Sequence, residues 1–399
     1  MHYNILDKYT KAMRSAMKSQ KWLSINFFTF FFTWGVFMPY WTGYLTNAKG
    51  LSVTSASIVM GAGMLARAFS TFVLFPKATG RFSMQRVLRL LALFSFAAIV
   101  LYIPFNSFYS LLAITVTFSL IYPNLLPAME SSASILMQKD KIHYGKSRSF
   151  GSVGFMVALL FIGGVTAIWD EQAILWTMLG ALAVIMITYS KPMPASLSEL
   201  PHQVTKDNTG NWKNLFTSKQ FIVILILTIL IQGSHASYNN YGFIYLQDIG
   251  VNSLYIGIVL NVAVIFEIVF FLFADKLFSN KKVSWMLLLA GIGATIRWIS
   301  IYLFPSVWIF ILTQVLHSVS FGIAHYAFIQ YISRTLDKSL IPAAQGIYAA
   351  LSMSLSSAFL TFVGGYLYDV EPRLAFLGMA FCTIPAIVIL LLSRKKYAY

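Results

Sequence analysis

A chain of 399 residues in which 58% of the side chains are hydrophobic and 11% charged, with a mean hydropathy of +0.72, carries more apolar surface than a water-soluble fold can bury, since soluble domains run at roughly 45–50% apolar and about 25% charged. Soluble α/β enzymes, β-sandwiches and nucleic-acid modules are excluded on that ground, despite the formal net charge of +16. The lone cysteine, Cys382, excludes a disulfide framework and a cysteine-rich metal site.

At about 20 residues per spanning helix plus short loops, the length holds about twelve spans. Residues 1–21 are basic and weakly amphipathic. They lead into an apolar run too long for the h-region of a signal peptide and lacking a small-residue cleavage site, so they are expected to stay on the cytoplasmic face as an N-terminal segment. Apolar runs bounded by turn and charge signals predict helices near 22–45, 55–75, 87–104, 108–136, 149–168, 172–190, 220–246, 254–277, 284–304, 307–333, 341–367 and 373–393. The longest polar interruption divides them six and six. The expected fold class is therefore an all-α membrane protein of twelve transmembrane helices: an N-terminal bundle at 22–190, a cytoplasmic central loop at 191–219, a C-terminal bundle at 220–393 and a cytoplasmic tail at 394–399.

Lysine and arginine test the count, because short cytoplasmic loops collect them. With the N-terminus inside, 25 of the 29 fall on the cytoplasmic side, Lys49 and Arg373 lie outside, and Arg67 and Arg297 lie within spans. A shift by one helix would scatter that separation, so both termini are expected to be cytoplasmic. The positive charge is then an orientation signal facing anionic lipid, and nucleic-acid binding is not needed to explain it. A half-to-half repeat is suggested by FVLFPKATGRFSMQRVLRLLAL at 72–93 against FFLFADKLFSNKKVSWMLLLAG at 270–291, each with a basic turn.

The runs YGKSRSFGSVGF (144–155), QGSHASYNNYGFIYLQ (232–247), VIFEIVFFLFADKLF (264–278), IRWISIY (296–302) and QVLHSVSFGIAH (314–325), with the basic loops 2/3 and 8/9, resemble the phenylpropionate permease group of the major facilitator superfamily. That group is itself similar to the lactose permease group. The resemblance spans essentially the whole chain and is most specific in the second half. It implies a proton-coupled symporter of the bacterial inner membrane, in which two bundles rock around a site at the bilayer midplane.

Independently of any family, an ionisable group at bilayer depth costs about 2.5–3.5 kcal/mol or more, so each needs a partner, a wet cavity or a function. The predicted spans contain Arg67, Glu130, His235, Glu267, Arg297, His317 and His325. Glu267, Arg297 and His317 come from three consecutive helices at similar depth. They form either a proton site, with Glu267 desolvated enough to hold a proton and Arg297 near enough to expel it, or a permanent Glu267–Arg297 ion pair. The resemblance matches all three to a glutamate, an arginine and a histidine of the lactose permease group. It also exposes a departure: the acid three residues beyond that histidine is here Ser320, so Glu267 or Glu130 is left to carry the proton.

Glu130, following Pro123 and Pro127, and Arg148 match by resemblance the substrate-binding glutamate and arginine of the lactose permease group, with Gly145 and Gly151 allowing close packing of the turn. Otherwise Arg148 is an orientation charge and Glu130 a snorkelling acid. Arg67, about a third of the span from the outer face, has no acid within a turn and is expected to bind a substrate carboxylate or to pair with Glu130. Helix 7 offers Gln232, His235 and Asn239 on one face with Tyr238 beside them, and Gln345, Tyr348 and Ser352 repeat the pattern in helix 11. These are candidate cavity residues or interhelical hydrogen bonds. Trp34 sits deep enough in the aromatic first helix to stack on a substrate, and Asp275, before Lys276, Lys281 and Lys282, resembles the superfamily's loop motif and is a candidate gate latch. His317 and His325, eight residues apart, lie about 80° apart around an ideal helix and lack metal-ligand spacing.

The cavity candidates hold three arginines, Arg67, Arg148 and Arg297, against two acids, Glu130 and Glu267; that surplus favours an anion, and the aromatic residues favour a ring. The expectation is proton-driven symport of a small organic solute, a phenylpropionate-like carboxylate, with a sugar or nucleoside symporter as the alternative and a non-transporting receptor as the second. The expected partners are that solute, protons and the bilayer, with no cofactor, metal or nucleic acid, and the chain is expected to work as a monomer.

Overall fold

Hydrocarbon offers no partner for backbone N–H and C=O groups, so an apolar chain has to satisfy them within each spanning segment, which helices do. The computed structural model of the protein describes residues 2–199, 212–337 and 340–395. Among them there is no strand. Twelve long helices run in chain order: α1 (His2–Gly43), α2 (Val53–Thr79), α3 (Met84–Val100), α4 (Phe108–Lys139), α5 (Tyr144–Ile168), α6 (Gln172–Ser190), α7 (Lys219–Asp248), α8 (Ser253–Phe278), α9 (Val283–Leu303), α10 (Val307–Thr335), α11 (341–370) and α12 (Leu374–Ser393). All but α3, which has 17 residues, are long and apolar enough to cross a membrane. Helix α1 begins well before residue 22, because no glycine or proline interrupts the basic segment. Parts of the central loop and tail, 200–211 and 396–399, lie outside the described residues.

The chain forms two compact units. One contains residues 1–41 and 66–204, the other 42–65 and 205–399. In the first unit α1 and α5 approach closely through small residues. A Cβ on Gly154 would fall 2.2 Å from the Phe28 carbonyl oxygen, and one on Gly35 2.9 Å from the Ala158 Cβ. In the second unit α9 packs along α12, where the Thr295 and Thr383 hydroxyls meet at 2.7 Å. The segment 42–65 joins this unit through Ser57, whose hydroxyl lies 2.8 Å from that of Tyr241, and through Asp369, which accepts from the Thr54 N–H at 2.8 Å.

Several helices are interrupted where polar residues cluster. Pro123, which has no N–H to give, sits in a 3₁₀ turn (Tyr122–Asn124) inside α4. Helix α7 breaks after Gly233 and resumes at Ala236. Five-residue π-turns lie in α2 (Ser70–Leu74), α10 (Ser318–Gly322) and α11 (Leu351–Leu355). The first and seventh helices stop alike, each on a glycine with positive φ, Gly50 at 72° and Gly250 at 83°, a region costly for any side chain. The runs YLTNAKG and YLQDIG that reach these glycines differ by one residue, and α1 absorbs its extra residue in a π-turn at Tyr44–Ala48.

Candidate transport sites

Each unit carries its own polar cluster. In the first, Arg67 of α2 lays its guanidinium over the Trp34 ring, 4.8 Å from the centroid. Trp34 forms a three-ring cluster with Phe30 at 5.8 Å and Tyr122 at 6.0 Å, which are 5.7 Å from each other, and the Tyr122 hydroxyl is 2.8 Å from that of Thr33. The Pro123 turn sets Tyr122 at this point. No carboxylate among the described residues lies within ion-pair distance of Arg67.

Glu130 is engaged elsewhere. Its carboxylate is 3.4 Å from the Arg148 Nε and accepts from the Tyr144 hydroxyl at 2.8 Å. Arg148 also lies over Phe31, 4.2 Å from the ring centroid. Of the two pairings open for Glu130 in the sequence, the structure brings together Glu130–Arg148 and not Glu130–Arg67. Gly151 makes room for this group, because a Cβ there would fall 2.6 Å from Phe31 and 3.0 Å from Arg148. At Gly145 a Cβ would meet nothing within 4 Å, so the close packing expected there belongs instead to Gly154.

In the second unit Glu267, His317 and Arg297 form one chain with the histidine in the middle. The His317 Nε2 lies 3.3 Å from Glu267, and its Nδ1 lies 2.9 Å from an Arg297 guanidinium nitrogen. A guanidinium only donates, so Nδ1 must accept and the proton of the neutral ring sits on Nε2, directed at the carboxylate. Arg297, fully buried, also donates to Gln314 at 3.2 Å and is held between the faces of Tyr238 at 4.3 Å and Trp298 at 4.6 Å. These π faces offer the cation attraction that does not depend on the charge of Glu267.

His235 stands at the break in α7 and is buried. Its Nδ1 is 3.1 Å from the Ile231 carbonyl and its Nε2 is 3.0 Å from the Ser320 hydroxyl. Both nitrogens are taken within the protein. Gln232 donates to Tyr348 at 2.9 Å, and Ser352 meets Thr228 at 3.1 Å, so the α7 and α11 stripes bond to each other. Gln345 is exposed and Asn239 half-buried. Asp275 accepts from the Tyr326 hydroxyl at 2.7 Å.

A family model described as the MFS_1-like family matches residues 20–378. The chain belongs to this family. It is 27% identical over 373 residues to a protein of Escherichia coli (strain K12) named a probable 3-phenylpropionic acid transporter, covering 93% of this chain and 97% of the relative. It is 26% identical over 377 residues to the maltose permease of Geobacillus stearothermophilus, covering 93% of each. The nucleoside transporter NupG has the same fold, with a TM-score of 0.83 at 14% identity, covering 95% of this chain and 99% of that one. This member of the MFS_1-like family is accordingly a multi-pass membrane transporter with the fold of the major facilitator superfamily.

One angular relation within α10 differs from the sequence expectation. His325 was set apart from His317 by about 80° on an ideal helix, but the π-turn at Ser318–Gly322 adds one residue between them. On ideal geometry that turns His325 back by about 100°, to about 20° from His317 around the helix axis. No run of residues signals a π-turn.

Proposed function

We propose that this transporter carries a small aromatic carboxylate in symport with a proton. The observation that carries this reading is the state of Arg67. Of the three in-span arginines, Arg148 has Glu130 and Arg297 has His317 and Gln314, whereas Arg67 faces an aromatic group with no carboxylate beside it. A guanidinium fork matches a carboxylate through two parallel bonds. Trp34 and Tyr122 beside it suit a ring, and the E. coli relative bears a fitting name.

The proton is assigned to Glu267. His317 cannot become an imidazolium without giving up the Nδ1 lone pair that Arg297 uses, so an added proton falls on the carboxylate. Arg297 keeps its two aromatic faces in either state. The positive-inside pattern supports both termini on the cytoplasmic face of an inner membrane.

A second reading, transport of a sugar, draws on the maltose permease relative. A ligand panel on the purified protein separates the two. Thermal stabilisation by 3-phenylpropionate, and none by its amide or by maltose, is the expected outcome. Stabilisation by maltose alone reverses the assignment.

A further inference from the structure

The first unit carries a groove that neither polar cluster uses. It holds about 750 Å³ between α5 and α6, with Phe32 of α1 in its lining, and the Phe32 ring packs on Phe161 of α5 at 5.9 Å. Phe161, Trp176 and Val184 line it and are exposed, so in a membrane protein the groove opens to lipid. Helix α6 gives it one face: Ala173, Trp176, Thr177, Gly180, Ala181 and Val184 recur at the three- and four-residue steps that put side chains on one side of a helix. At Gly180 a Cβ would meet nothing within 4 Å, and the missing side chain leaves the groove open there.

The lining is ordered along the helix axis. Residues 169–171 alone join α5 to α6, which sets this end of both helices at a membrane surface. Here the groove is lined by Asp170 and Gln172 together with Trp169, a residue type that favours the headgroup level. Further along α6 the lining is mainly apolar. Residues 173 to 184 rise about 16 Å, half of a hydrocarbon core of about 30 Å. That is the depth of one leaflet. A helix from a second copy of the chain would run the full thickness, whereas a lipid acyl chain ends at the midplane.

Charge selects the lipid. Asp170 and Glu171 make the α5–α6 connection acidic, and the α3–α4 connection at the same end, 101–107, carries no charged residue to offset them. Asp170 is exposed, and one of its carboxylate oxygens accepts from the Gln172 N–H at 2.8 Å. An anionic headgroup is repelled at such a rim. A primary ammonium can donate to the carboxylate, a charge-assisted bond that a quaternary ammonium cannot make, and can lie against the faces of Trp169 and Trp176. We propose that the groove binds one molecule of phosphatidylethanolamine, with an acyl chain along α6 and the ammonium at Asp170.

The test is native mass spectrometry of the delipidated full-length protein in detergent, offered dioleoyl phosphatidylethanolamine, phosphatidylcholine or phosphatidylglycerol at equal concentration. Phosphatidylethanolamine is expected to be retained about threefold more than either of the others, the scale of an exposed ion pair. Asp170→Asn keeps an oxygen for the Gln172 N–H but loses the charge, and should erase that preference. Gly180→Leu fills the groove without meeting a neighbour, so it should lower retention of all three lipids about tenfold while Tm is kept. Phosphatidylcholine or phosphatidylglycerol retained as well as phosphatidylethanolamine, or a preference that survives Asp170→Asn, overturns the proposal. So does a Gly180→Leu protein that holds phosphatidylethanolamine like the wild type, and so does a wild-type dimer that Gly180→Leu dissolves, which would give the groove to a second copy. If Gly180→Leu lowers Tm, the result with Asp170→Asn decides.

Discussion

Arg67 is the residue whose surroundings carry the most weight, because an arginine costs several kcal/mol at bilayer depth unless something answers its charge. Its attraction to the Trp34 face offsets part of that cost, about 0.5–2 kcal/mol on the usual scale of such contacts. The substrate carboxylate is assigned the rest. Arg67→Lys keeps the charge but loses the two-pronged geometry, so KM for 3-phenylpropionate should rise about tenfold or more, corresponding to about 1.4 kcal/mol. Uptake kinetics in proteoliposomes measure it, and an unchanged KM would remove Arg67 from the substrate site. Arg67, Glu130 and Arg148 were legible as candidates, because charge in hydrocarbon is conspicuous, but the partner of Glu130 stayed open. Partner choice depends on how α2, α4 and α5 are rotated, and composition does not encode rotation to that accuracy. His235 illustrates the same limit. Its polarity marked it for a cavity, yet its two nitrogens are spent on Ile231 and Ser320.

Elements were legible to within a few residues wherever the apolar run was bounded by charge: 254–277 was expected for Ser253–Phe278. The interruptions were not. Pro123 announces its break, whereas the π-turns in α2, α10 and α11 arise from packing and leave no local signature. Glycine was ambiguous for a similar reason, since its meaning depends on what stands opposite. Gly154 of α5 faces the α1 backbone so closely that a methyl group would fall 2.2 Å from the Phe28 oxygen, while Gly164 of the same helix meets nothing within 4 Å. Gly154→Ala should force α1 and α5 apart and cost about 1–3 kcal/mol, seen as a lowered Tm in detergent. Gly164→Ala should leave Tm unchanged or raise it slightly. Equal Tm values for the two variants would contradict the packing described for the first unit.

At the scale of the whole chain, hydropathy and the placement of lysine and arginine were enough to predict an all-helical, many-span protein, and the family relationship agrees. What they could not supply is the different make-up of the polar clusters in the two units. Only the fold shows that the first unit holds an arginine with no acid beside it among the described residues, while the second places a neutral histidine between an acid and a buried arginine. The proposed function assigns carboxylate binding to the first unit and proton binding to the second, the two events a symporter has to couple. The most direct test is proton movement itself. When 3-phenylpropionate is added to proteoliposomes with no imposed gradient, a pH probe outside should report alkalinisation beyond that of protein-free liposomes, and Glu267→Gln should abolish it while still exchanging labelled for unlabelled substrate. Substrate entry without proton movement, or the same alkalinisation with Glu267→Gln, would contradict it.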